Sequence, residues 1–312
     1  MFHSLKYRWQ RLQDFLTREI WELETQTFSK LKARLVTDAK VVLITARDFG
    51  RHNLGGEAAS MCYFTAMALV PLVAVIFAVT GGLGLDTYLR ELTLRYFSNN
   101  SEIVSWIMEF ADNIVASTNN GMYGIISFLV FVWLVVWLML NVERSFNRIW
   151  KVDVSRVFWK RILAYFAILI LSPFVLLLFL SLTVNLNSSL DTWKIPGFQF
   201  VRPFLGWLTT YGVITLVMTA LYKFIPNAKV KFRYAFTSAL LAAAFFVLVQ
   251  YLYLETQIFV TRLNGVYGAF AALPLFMTWL NLEWSIILIG AELSYALQFV
   301  HNPNLKALNP YE

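Results

Sequence analysis

The sequence predicts an all-α fold, a polytopic membrane bundle of about six transmembrane helices with amphipathic helices at its interfaces. Three observations predict it. Apolar residues fill 58% of 312 positions and charged residues only 14%, with mean hydropathy +0.59, whereas a soluble domain is about a quarter charged. The charges fall between long apolar runs, and a run of about 18 or more such residues is a span. Finally, the basic residues collect in alternate loops.

Residues 1–57 come first, charged and helical in pattern. Leu5, Trp9, Leu12, Leu16 and Ile20 recur on one face, and Phe28, Leu31, Leu35, Val42, Ala46 and Phe49 on another. These amphipathic helices lie outside the bilayer core, with three supports open to them: the cytoplasmic leaflet, a protein partner, or the spans themselves. Met1 to Gln10 leads into no apolar core of signal-peptide type, so the first span is expected to act as an uncleaved anchor.

The transmembrane domain, 58–299, holds six apolar segments at 58–84, 122–142, 162–185, 204–222, 235–260 and 266–299. Each can cross about 30 Å at about 1.5 Å per residue. The last is longer than a span requires. Pro274 offers it a kink or a start, whereas a break near Glu283 would need a turn at Asn281 to Trp284 without Gly or Pro. One long helix is expected. Between the first two spans, 85–121 carries Ile103, Trp106, Ile107, Phe110 and Ile114 at helical spacing behind Asn100 and Ser101, which predicts a short helix across the outer face. A tail, 300–312, closes the chain.

Orientation follows from Lys and Arg. Segments 1–57, 143–161, 223–234 and 300–312 carry 10, 6, 4 and 1, against 2, 2 and 1 in 85–121, 186–203 and 261–265. Twenty-one against five places both termini in the cytoplasm. The net charge of +7 is then a matter of topology and anionic lipid contact, not of nucleic-acid binding.

Several classes find no motif. His3, His52 and His301 are scattered outside the spans, and Cys62 is the only cysteine, which argues against a metal centre and an intrachain disulfide. Without a Walker loop, a dinucleotide fingerprint, a nucleophile elbow or a zinc-protease helix, neither ATP-driven transport nor an enzyme is indicated, and no cofactor is expected. No repeat of fixed spacing supports an inverted-repeat transporter.

What remains is a set of polar groups in or beside the spans: Glu57, Asn141, Glu143, Arg144, Asn147, Arg148, Glu255, Glu283 and Glu292. Ionisable groups in a span are costly and face the bundle interior, a partner or water, so each is a candidate transport or structural site. At the inner boundary, Glu57, Glu143 and Arg144 read equally well as interfacial charges. Glu255 has Arg262 seven residues on, a structural pair if the helix continues. Glu283 and Glu292 are nine residues apart, on opposite faces of a straight helix, so each needs its own partner. For Glu292 the candidates are Arg148 first, then Lys231 or the Tyr295 hydroxyl, and Gly290 and Ala291 beside it would admit a close neighbouring helix. Pro71, Pro173, Pro274, Gly81, Gly82 and Gly84 punctuate the spans; freed carbonyls there can line a cavity, though such residues are common in membrane helices.

Ala59, Tyr63, Phe64 and Pro71, then Asn147-Arg148-Ile149-Trp150, then Leu221-Tyr222 with Pro226, and finally Tyr267-Gly268, Trp279 and Gly290-Ala291-Glu292-Leu293 resemble the YihY/BrkB family of bacterial inner-membrane proteins. The resemblance covers about residues 40 to 300. It implies a six-span bundle in the cytoplasmic membrane. Members have been labelled ribonuclease BN, linked to serum resistance and suggested to move lipids or ions; no nuclease centre supports the first label here. The expectation is therefore a non-ATP-driven transporter or lipid-handling protein. A proton- or ion-coupled antiporter using Glu292 or Glu283 is the first rival, and a scaffold docking a partner through the N-terminal region is the second. Membrane lipids are the expected partners, with no nucleic acid.

Overall fold

The computed structural model describes residues 29–82, 122–152, 198–261 and 265–300, with single positions 20, 84, 87, 88, 90, 91, 109, 163, 174 and 177. Within them are six helices: α1 (Lys30–Arg51), α2 (Leu54–Gly82), α3 (Met122–Ile149), α4 (Phe198–Phe224), α5 (Phe232–Thr261) and α6 (Gly265–Phe299). The described residues contain no strand. Five predicted spans fall on α2 to α6. The third predicted span at 162–185, the outer segment at 85–121 and the tail from 301 lie outside the described residues apart from isolated positions, as does Arg262.

Helix α6 runs unbroken for 35 residues with Pro274 inside it. The Thr278 hydroxyl donates to the Pro274 carbonyl at 2.8 Å, and no turn interrupts the chain at Glu283, so the single long helix expected from the sequence forms. It packs against each of the other five described helices. It comes close to α5 and α4 at Gly290, where an added Cβ would lie 2.8 Å from the Ala242 Cβ and collide with the Tyr222 hydroxyl. Glycine is required there by space rather than by backbone conformation, and the small residues Ala235, Ala239, Ala242 and Ala243 of α5 complete the buried seam.

The opposite side of α5 is inverted relative to a water-soluble helix. Leu241, Phe245, Leu248 and Leu252 are exposed while Ala235, Ala239, Ala242 and Ala243 are buried. Large apolar groups outside and small ones inside suit a lipid surround, where packing rather than water exclusion joins helices. By length and composition, Phe232–Thr256 and Leu273–Phe299 are each able to cross a membrane.

Helix α1 settles one question left open by the sequence. It rests on the spans themselves: Val41 and Ile44 pack with Ala296, Leu293, Leu297 and Val300 of the α6 end. The face that packs carries Val41, Ile44, Thr45 and Asp48. The apolar stripe singled out from spacing is not that face, because Leu31, Leu35 and Val42 are 74%, 62% and 62% exposed. Periodicity finds an apolar face but does not say whether protein or lipid covers it.

Two left-handed residues, neither of them glycine, shape the polar end. Asn53, at φ 52°, makes the two-residue corner between α1 and α2; its amide donates to the Gly50 carbonyl, and its own carbonyl receives the Glu57 amide that opens α2. Asparagine tolerates this conformation better than most residues. Lys151, also at φ 52°, ends α3 in a Schellman arrangement, with the Val152 amide bonded to the Asn147 carbonyl and the Lys151 amide to that of Arg148.

Candidate functional site: a buried carboxylate at the polar end of the bundle

Three of the basic-rich segments, as far as they are described, meet the end of α6 at one end of the bundle. The Asn227 amide, between α4 and α5, donates to the Asn147 Oδ1 of α3 at 2.8 Å. The Lys231 amide donates to the Gln298 Oε1 of α6 at 2.8 Å, and the Gln298 amide group returns a bond to the Lys229 carbonyl at 3.2 Å. The α1–α2 corner joins them through Arg148, which donates to the His52 carbonyl at 3.4 Å. Loops that charge counting assigned to one side are thus physically adjacent.

Glu292 lies inside this end with 0% exposure. Its Oε2 is 3.3 Å from His52 Nδ1, while Oε1 has no hydrogen-bond partner among the described residues. Asp48, Lys151 and Arg47 are the charges that act on it through space. Asp48 is itself buried and bonded by the Arg47 Nε at 2.7 Å. Burial lowers the His52 pKa below its usual 6.5, and Lys151, Arg148 and Arg51 push it further down against the pull of Asp48. That shift favours a hydrogen bond over an ion pair at this contact, with the donor set by the imidazole tautomer.

This arrangement corrects the expected partner. Arg148 does not reach Glu292; it pairs with Glu57 in the first turn of α2, whose other oxygen accepts from the Ser145 hydroxyl at 2.9 Å. A guanidinium in the last turn of α3 and a carboxylate in the first turn of α2 lie at the same depth, which makes this pair shorter-range than one to Glu292. Lys231 is exposed, with its backbone amide bonded to Gln298. Tyr295 is buried against Trp150 and Phe299, with the Lys151 ammonium 5.0 Å from its ring centre.

The remaining candidates divide plainly. Asn147 is buried and structural, bonding the α4–α5 loop. Glu143 is buried on α3 and Arg144 is exposed. Asn141 donates to the Trp137 carbonyl one turn back at 2.9 Å. Glu283 forms a separate buried centre, accepting from the Trp279 indole at 2.8 Å, with its Oε2 lacking a partner among the described residues. The ring of Trp279 stacks on Tyr253 at 4.7 Å. As nine-residue spacing requires, the two carboxylates do not share a site.

Chemically, an imidazole touching a buried carboxylate can pass a proton to it, and His52 is partly exposed. Sequence reasoning passed over His52 because it stands outside the spans. The available signal was its place, four residues after Asp48 and directly before the corner that opens the first span. Among the described residues, no three His, Cys, Asp or Glu side chains are grouped to hold a metal.

A family model described as "Virulence factor BrkB" matches residues 45–310. Among curated relatives, a UPF0761 membrane protein of Alcanivorax borkumensis is 32% identical over 279 residues, covering 86% of this chain and 62% of that protein. One from Acinetobacter baylyi is 28% identical, covering 86% and 64%. One from Aggregatibacter aphrophilus is 27% identical, covering 85% and 94%. The chain thus spans about three-fifths of the length of several relatives it matches. No solved structure matches it.

Proposed function

The chain belongs to the YihY/BrkB family of membrane proteins, and from that premise we propose that it is a six-span protein of the bacterial inner membrane that transports a lipid or ion without hydrolysing ATP. The observation that carries this reading is Glu292. A carboxylate wholly buried in a membrane helix, with one oxygen unpartnered among the described residues, is an expensive feature whose usual return is a transport or proton pathway.

Coupling to protons is the second reading, favoured by one contact: His52, half-buried at the bundle's end, touches the Glu292 carboxylate at 3.3 Å and gives a protonatable step between solvent and the interior. Both termini are assigned to the cytoplasm on the 21 to 5 basic asymmetry. The gathering of three basic segments, at His52, Arg148 and Asn227 to Lys231, at one end supports the same assignment. We assign the chain no ribonuclease activity, on the sequence grounds given above.

Proteoliposomes containing the purified chain test both readings. Transport of a fluorescent phosphatidylglycerol, read as dithionite-accessible signal, should exceed that of empty liposomes if lipid is the cargo. Cation-induced collapse of an imposed pH gradient should exceed it if the protein exchanges protons for Na+ or K+. A chain that leaves both signals at the empty-liposome level is a scaffold, and the transport reading is then wrong.

A further inference from the structure

Helix α1 has two apolar faces, and α6 covers only one. Val41, Ile44, Thr45 and Asp48 are buried against the bundle. At 100° per residue, Leu31, Leu35, Val42 and Ala46 form a second stripe turned about a third of the way around the helix from the first. All four are exposed. The helix carries Lys30, Lys32, Arg34, Lys40, Arg47 and Arg51 against Asp38 and Asp48. Two residues beyond its end the chain enters α2, the first predicted span, so the stripe is held beside the bundle where the bilayer surface would lie. Most of the stripe precedes residue 45, where the family match begins.

We propose that this stripe docks α1 on the anionic lipid surface of the leaflet at the polar end of the bundle, with Leu31, Leu35 and Val42 reaching into the headgroup and acyl boundary and Lys32 and Arg34, the bases nearest the stripe, meeting lipid phosphates. Charge selects the occupant. A net-basic helix with an apolar stripe suits anionic lipid, to which both apolar area and positive charge contribute. A second copy of the chain would bring like charges together instead. The inference does not depend on the transport reading, because a scaffold held in the same membrane would present the same stripe.

The test uses the full chain in nanodiscs, in a Cys62→Ala background, with an environment-sensitive fluorophore at Leu35→Cys, Val42→Cys or Ser29→Cys. Ser29, the exposed residue that precedes α1, lies on the side away from the stripe. With phosphatidylglycerol present, the first two probes should shift to the blue and be quenched by brominated lipid, and the third should not. The shift should shrink in zwitterionic discs, in high salt, and in a Lys30→Glu, Lys32→Glu, Arg34→Glu variant. Equal, water-like emission at all three positions would overturn the proposal. So would protection of the stripe that depends on protein crowding rather than lipid charge, which would indicate a second copy. Circular dichroism and monodispersity of each labelled chain exclude misfolding as the cause.

Discussion

His52 and Glu292 stand 240 residues apart in the chain and 3.3 Å apart in the fold, the imidazole of the α1–α2 corner against the buried carboxylate of α6. Their contact ties the α1–α2 corner to α6 at the polar end of the bundle.

Removing the carboxylate in two ways separates shape from charge. Glu292→Gln keeps a hydrogen-bonding group beside His52, whereas Glu292→Ala strands the imidazole and leaves a void. An unmet buried polar group costs about 1–3 kcal/mol, so Glu292→Ala should unfold at a clearly lower temperature than Glu292→Gln in the same detergent. Equal midpoints for the two variants would show that the contact contributes nothing to stability.

The depressed pKa of His52 makes a signed pH prediction. Between its lowered folded value and the usual 6.5, the unfolded chain binds more protons than the folded one, so the contribution is full above about 6.5 and is lost as pH falls below it. Thermal midpoints should therefore fall on acidification, and His52→Gln should flatten that slope while leaving the titration of other groups. An unchanged slope in His52→Gln would refute the assignment.

At Gly290 the prediction is steric. An added methyl in a tightly packed core costs about 1–3 kcal/mol, and Gly290→Ala should be destabilising by that order. Because the collision is partly with the Tyr222 hydroxyl, the penalty should be smaller in a Tyr222→Phe background. Identical penalties in both backgrounds, measured by chemical or thermal unfolding, would place the obstruction elsewhere.

For topology, single cysteines at Ser4→Cys and Ser117→Cys in a Cys62→Ala background distinguish the two orientations. An impermeant thiol reagent applied to intact cells should label the second and spare the first. The reverse pattern would invert the whole bundle.

Much of the fold was legible because membrane helices announce themselves locally. Unbroken apolar runs located α2 to α6, the absence of Gly or Pro between Asn281 and Trp284 kept α6 whole, and small Gly290 and Ala291 marked a close helix approach. Glu292 and Glu283 were legible as separate sites from spacing alone. The partner of Glu292 was not, because it depends on the left-handed corner at Asn53 that turns His52 toward α6, and a long-range contact of that kind leaves no periodic trace. Arg148 looked nearer in depth but met Glu57 first. The buried face of α1 was not legible for another reason: spacing singles out the stripe with more apolar residues, whereas Asp48 and Thr45 sit on the face that packs.

The carboxylate of Glu292 as a transport group is the central claim, and proton exchange in proteoliposomes tests it most directly. With a pH gradient imposed and Na+ or K+ added outside, wild-type protein should collapse the gradient faster than empty liposomes, and Glu292→Gln, inserted at equal yield, should not. Wild-type rates in Glu292→Gln would contradict the claim and leave the carboxylate with a structural role alone.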